Sequence, residues 1–250
     1  MNETGTLEFF KVQSRAFAET LAKYCGREEL IDGLLSQAFS SFDGNVAVQS
    51  EGYPALACHK GCSPCCTLRV TATAPQVILI ARYIRWTEAR TKDVNLAKRV
   101  ARADKETRGL TEARRVTLKR PCPFILQGVC AIYPVRPLAC RGHACYDRQA
   151  CVEAAAGRIR QIPLSEPHHI VRSLVQNAMQ FALRDAGYPW SLYELNQAVS
   201  IALTEETCST LWALGQDVFA PARIEEVSPE EMAQVFDQIK ESLGNTSSFG

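Results

Sequence analysis

At 250 residues the chain is long enough to bury a sizeable core. Hydrophobic residues make up 46%, charged residues 22%, and the formal net charge is +1, the balance of an ordinary soluble globular protein. That charge argues against a dedicated nucleic-acid binder, and no apolar run reaches the ~18 residues of a membrane span: VILIARYI (77–84) is short and holds Arg82.

The first twenty residues scatter Glu3, Glu8, Lys11 and Arg15 among apolar positions, unlike a signal or transit peptide. A cytoplasmic location is expected, where thiols stay reduced and clustered cysteines bind metal or react more often than they form disulfides. LEFFKVQSRAFAETLAKY places Leu7, Phe10, Phe17 and Leu21 on one helical face, and REELIDGLLSQAFSSF repeats the pattern with Leu30, Leu34, Leu35 and Phe39. The chain is expected to loosen through DGNVAVQSEGYPALA, where Gly44, Gly52 and Pro54 are breakers.

After a cysteine-rich loop at 58–66, LRVTAT reads as a short strand. Pro75 suits the start of a helix over APQVILIARYIRWTEAR, and DVNLAKRVARADKETRG reads as an exposed amphipathic helix ending at Gly109. Between Arg82 and Arg120 stand 13 Lys and Arg against 5 Asp and Glu, a net +8. Two readings are open: a solvated helix face, or a surface (82–120) for a protein or anionic partner. No aromatic residue lies between Trp86 and Arg120, which disfavours stacking on single-stranded nucleic acid.

PCPFILQGVCAIYPVRPLACRGHACYDRQAC (121–151) is broken by its prolines, Gly128 and Gly142, with GVCAIY as one short strand and a short helix from DRQACVEAAAG. The remainder reads as helical: LSEPHHIVRSLVQNAMQFALRDAG ending at Gly187, then SLYELNQAVSIAL, TCSTLWALG and SPEEMAQVFDQIKESLG. The last of these opens on a capping box of Ser228 and Glu231 with Pro229 in the first turn. The tail NTSSFG is expected to fray, and no internal repeat is evident. The fold class expected is mainly α, a helical domain around an irregular, loop-rich cysteine-cluster metal-binding core with one or two short strands. One domain spans 1–250: helices over 1–50, the cysteine region over 51–155 with a basic helical insertion at about 75–118, and a helical region over 156–250.

The chain has eleven cysteines. Cys25 and Cys208 stand alone in helical stretches and read as small buried apolar residues. Cys58, Cys62, Cys65 and Cys66 form a C-x3-C-x2-C-C block; Cys122, Cys130, Cys140, Cys145 and Cys151 form the second. A tetrahedral site needs thiolates converging at ~2.3 Å from one ion, and such spacing lets one turn aim two sulfurs at a point. Adjacent side chains tend to diverge, so Cys65 and Cys66 are not expected to serve one site together, which suggests two metals, a bridging thiolate, or a ligand beside a free thiol. Lys60, Arg136 and Arg141 could offset negative charge or hydrogen-bond sulfur. His59 and His143 are secondary ligand candidates, while His168 and His169 read as structural.

These spacings, with Pro121, Cys122, Pro123 and Phe124, then Gly128, Cys130, Ile132, Tyr133, Arg136, Pro137, Cys140 and finally Cys151, resemble the YkgJ-type cysteine-cluster family. That resemblance implies a zinc- or iron-chelating domain in which Cys58, Cys62, Cys65, Cys66, Cys122, Cys130, Cys140 and Cys151 are the metal ligands, with Cys145 outside the pattern. Thiolates would hold zinc or an iron–sulfur cluster in one or two centres, in a protein of unassigned biochemical role. The resemblance extends to flagellin lysine N-methylase, and C-x3-C-x2-C is the spacing of radical S-adenosylmethionine enzymes. A methyltransferase using that cofactor is therefore a second reading. Pro64, the adjacent Cys66 and the absence of an alternating βα pattern weigh against it. A third reading is a metal-stapled binding module that uses its basic helix; charge reversal at Arg114, Arg115 and Arg120 would abolish its binding.

Overall fold

The structure, a computed structural model, describes residues 3–91, 94–226 and 228–245. Lys92 and Asp93 of the basic segment and the last five residues of the expected frayed tail lie outside the described residues.

The chain opens with α1 (Glu3–Tyr24) and α2 (Leu30–Gln49). The cysteine loop follows, and then β1 (Thr71–Thr73), α3 (Ala74–Glu88), α4 (Leu96–Thr107) and α5 (Glu112–Leu118). The second cysteine region carries the hairpin β2 (Ile125–Leu126) and β3 (Val129–Cys130), then α6 (Leu138–Gly142) and α7 (Arg148–Ala155). Last come α8 (Glu166–Asp185), β4 (Leu192–Glu194), α9 (Leu195–Thr204), α10 (Cys208–Ala213) and α11 (Pro229–Asn245).

Helix α8 is the hub of one half of the core. Helices α1, α2 and α6 pack on it, and α3 and α4 pack on α9. Phe10, Phe17, Leu21, Leu34 and Leu35 from the first two helices are buried with Val171, Val175 and Met179 of α8. Each such side chain withdrawn from water contributes about 1.5–3 kcal/mol. The helical periodicity read from the sequence therefore marks the core faces of α1, α2 and α8. No helix among the described residues is long and apolar enough to cross a membrane.

Four expectations need correction. Helix α2 does not loosen at Gly44 but runs to Gln49, because Ala38, Phe42 and Val46 continue its buried stripe at a spacing of four. SLYEL does not begin as a helix. Tyr193 is buried, its hydroxyl donates to Asp217 at 2.7 Å, and its strand β4 pairs antiparallel with β1 in the register Thr71↔Glu194, Ala72↔Tyr193, Thr73↔Leu192. A repeat of form is present. β1 and β4 each run straight into a helix, α3 and α9, whose third residue is a buried glutamine, Gln76 or Gln197. The Thr73 amide donates to Gln76 Oε1 at 3.0 Å, and the Gln197 amide donates to Glu194 Oε2 at 2.8 Å, so the two starts are stapled by different chemistry. Finally, the fold is mainly α-helical with two small antiparallel sheets, but the expected metal-binding core is not part of it.

The basic insertion is mostly committed within the molecule. Arg82 pairs with Asp32, Arg102 and Arg120 with Glu106, and Arg108 with Asp104. Arg99 donates to the carbonyls of Pro123 and Ile125, both at 2.8 Å, and ties α4 to the cysteine region. Arg115 is buried, 3.7 Å from Glu194, and the Asn196 amide oxygen, turned toward it, accepts from Nη2 at 2.7 Å. The expected contact surface for a protein or anionic partner is corrected accordingly, because most of its cations are already paired with this chain's own carboxylates or hydrogen-bonded to its carbonyls.

Candidate functional site

The first cysteine block folds as a run of tight turns. The amides of Cys62, Cys66 and Leu68 donate to the carbonyls of His59, Ser63 and Cys65 at 3.0, 3.0 and 3.1 Å, and Gly61 takes φ 95°. That left-handed value favours glycine, which has no Cβ to clash. The Cys122 amide donates to the Cys66 carbonyl at 2.6 Å, joining the second block to the first.

In the second block, Gln127 (φ 48°) and Gly128 (φ 81°) form the two-residue turn of the β2–β3 hairpin, where two left-handed residues match the strand twist. The hairpin pairs Cys130 with Ile125. Cys140 lies on the short helix α6, started by Pro137.

These elements enclose a cavity of about 470 Å³. Cys58, Cys62, Cys65, Cys66, Cys122, Cys130 and Cys140 all line it. So do His59, His143 and His168, and Arg69, Arg136, Arg141 and Arg172. Cys151 sits behind that wall on α7, which is capped by Asp147 through the amides of Gln149 and Ala150 at 2.8 and 3.1 Å. Cys145, given low weight from sequence, is the hinge of this corner. Its amide donates to Cys58 Sγ at 3.2 Å, its thiol donates to the Asp147 carbonyl at 3.3 Å, and its sulfur accepts from the Asp147 amide at 3.4 Å.

Seven of the eight cysteines expected as ligands line this cavity, and Cys151 is not among the lining residues. Among the described residues, no group of three or more Cys, His, Asp or Glu side chains is arranged to hold a metal ion. The sulfurs line a volume instead of converging on a point, and those of Cys58 and Cys145 accept from backbone amides. This overturns the zinc or iron–sulfur cofactor, the metal partner and the metal-holding function. The S-adenosylmethionine enzyme and the metal-stapled module fall with the metal, and so does the resemblance to the YkgJ-type family. No family model, no curated protein and no solved structure matches the chain.

All eleven cysteines are free thiols. Burial pushes the thiols of Cys122 and Cys140 up to about 12, because ionised sulfur is poorly solvated there. Burial, and then the bond to Cys145, pushes Cys151 up to about 12 as well. Cys58 and Cys130 are raised by burial. Cys65 differs. Its hydrogen bond with Cys66, ahead of burial, holds its proton in place.

Other expectations meet mixed outcomes. Cys208 is buried as read, whereas Cys25 is exposed just beyond the end of α1. Lys60 is not among the lining residues, and His59 is exposed with Nδ1 3.0 Å from the Lys60 carbonyl. Arg141 spends its donors on the carbonyls of Arg136 and Pro134, at 3.1 and 2.8 Å, rather than on sulfur. His168 and Arg172 were missed as cavity residues. They lie four apart on α8, hence on one face, and the signal was that spacing beside Gly142. A Cβ on Gly142 would meet Arg172 Cβ and Cγ at 2.4 and 2.5 Å, so glycine is what lets α6 lie against α8.

Proposed function

We propose that the chain is a dithiol redox protein that exchanges electrons with a small disulfide in its cysteine-lined cavity. The observation that carries this reading is the gathering of seven free cysteines around one cavity, with Cys65 and Cys66 adjacent in the chain among them. Cys66 attacks and Cys65, which keeps its proton, resolves. The Cys66 sulfur bonds to one sulfur of the substrate disulfide, the substrate S–S bond breaks, and the departing thiolate takes up a proton. Cys65 then gives up its proton and attacks Cys66 Sγ, and the second substrate thiol leaves in the same way. Two protein thiols lose two electrons and two protons, and one disulfide becomes two thiols.

A disulfide between neighbouring residues departs from relaxed geometry and is easily reduced. It would be returned to the dithiol by low-molecular-weight thiols of the cytoplasm, the compartment we assign. Cys58, Cys62, Cys122, Cys130 and Cys140 form the wall of this site.

The test is to mix the reduced chain, without air, with 2-hydroxyethyl disulfide, a neutral oxidant. Two thiols per chain should disappear, and peptide masses should place the new disulfide between Cys65 and Cys66. A chain that retains all eleven free thiols sinks the reading.

A further inference from the structure

We propose that the cavity takes an anionic substrate, a small thiol or disulfide bearing carboxylates, held by Arg136 and Arg172; this rests on the dithiol reading above. The residues lining the cavity include four arginines and three histidines but no Asp or Glu. Two of the arginines are already committed. Arg69 pairs with Glu112 at 3.3 Å and Glu226 at 2.8 Å. Arg141 donates to two backbone carbonyls and lies 3.5 Å from Asp43.

Arg136 and Arg172 have no carboxylate partner among the described residues. The Arg136 guanidinium lies over the Tyr133 ring at 4.2 Å, and its Nε is buried without a hydrogen-bond partner. Nε2 of His143 is buried and unpartnered on the same cavity. Arg172 is half-buried, and the missing side chain of Gly142 leaves the room it fills. A guanidinium withdrawn from water is costly unless an anion and good hydrogen bonds compensate it. The surrounding thiols do not supply that charge, since Cys65, Cys130 and Cys140 hold their protons.

The planar fork of arginine matches a carboxylate through two parallel N–H···O bonds. Thiols and cations on one wall select a molecule with sulfur and carboxylate together. The volume, about 470 Å³, falls within the ~300–1,000 Å³ of small-molecule sites.

The probe is S-methylglutathione, an anionic thioether that cannot exchange disulfides, titrated calorimetrically into the reduced full-length chain. Binding should weaken as salt rises, and the diethyl ester of the same probe should bind about tenfold or more weakly. Arg136→Gln and Arg172→Gln should each weaken the acid by a similar factor, with Arg136→Lys intermediate. No binding, or equal binding of acid and ester, overturns the inference. The ester comparison on the unaltered chain holds even where a variant fails to fold. Because the probe is redox-inert, these results are independent of the neutral-disulfide test. Arginine-dependent binding in a chain whose thiols resist that oxidant would keep the anion site and remove the dithiol reading.

Discussion

Cys65 retains its proton chiefly because the neighbouring sulfur of Cys66 shares it. Cys66→Ala should therefore speed alkylation of Cys65 at neutral pH, read by peptide mass spectrometry, while burial keeps Cys122 and Cys140 slow. Equal slowness of Cys65 before and after the change would mean that burial alone protects it. The buried thiols also make stability depend on pH. A thiol's ordinary value is 9.0, whereas the folded chain holds Cys122 and Cys140 up to about 12. Between those values the unfolded chain has released protons that the folded chain still binds, so the contribution is complete below about pH 9 and is lost as pH climbs toward 12. The melting temperature should fall across that window, and fall less in Cys122→Ala. A slope unchanged by the substitution would place the dependence elsewhere. None of this was legible in the sequence, because spacing tells which thiols share a loop but says nothing of their burial.

Elements turn on two glycines with opposite roles. Gly142 sits where α6 meets α8, and a Cβ there would overlap the Arg172 stem. Gly142→Ala should cost about 1–3 kcal/mol, as overpacking does, and should lower the melting temperature. Gly44 lies within α2 with open space around it. Gly44→Ala should stabilise by about 0.5–1 kcal/mol, since glycine costs a helix that much. Both were read from sequence as breakers, and only packing tells them apart. Arg115 belongs to this scale as well, because it ties α5 to the start of α9 through Glu194 and Asn196. Its removal leaves Glu194 buried and uncompensated, so Arg115→Ala should cost about 3–5 kcal/mol in a denaturant titration. A loss below about 1 kcal/mol would show that water or other donors replace it. The sequence ranked Arg115 with Arg114 and Arg120 as a surface charge, since charge patterning along a helix cannot see a carboxylate 79 positions away.

For the whole molecule, the helical architecture was legible because α1, α2 and α8 carry long stripes at a helical period, and Phe10, Phe17 and Val175 fall where those stripes predict. The pairing of β1 with β4 was not, because three-residue strands carry too little alternation to register. The two cysteine blocks meet where the Cys122 amide donates to the Cys66 carbonyl at 2.6 Å. The chemistry of that site depends on how far apart the sulfurs stand, which spacing along a loop does not fix. The central claim is that Cys66 is the attacking thiol and Cys65 the resolving one. Cys65→Ala, exposed to 2-hydroxyethyl disulfide without air, tests it most directly. A stable mixed disulfide on Cys66, located by peptide mass, is the expected result. A mixed disulfide on another cysteine in place of Cys66, or none at all, would contradict it.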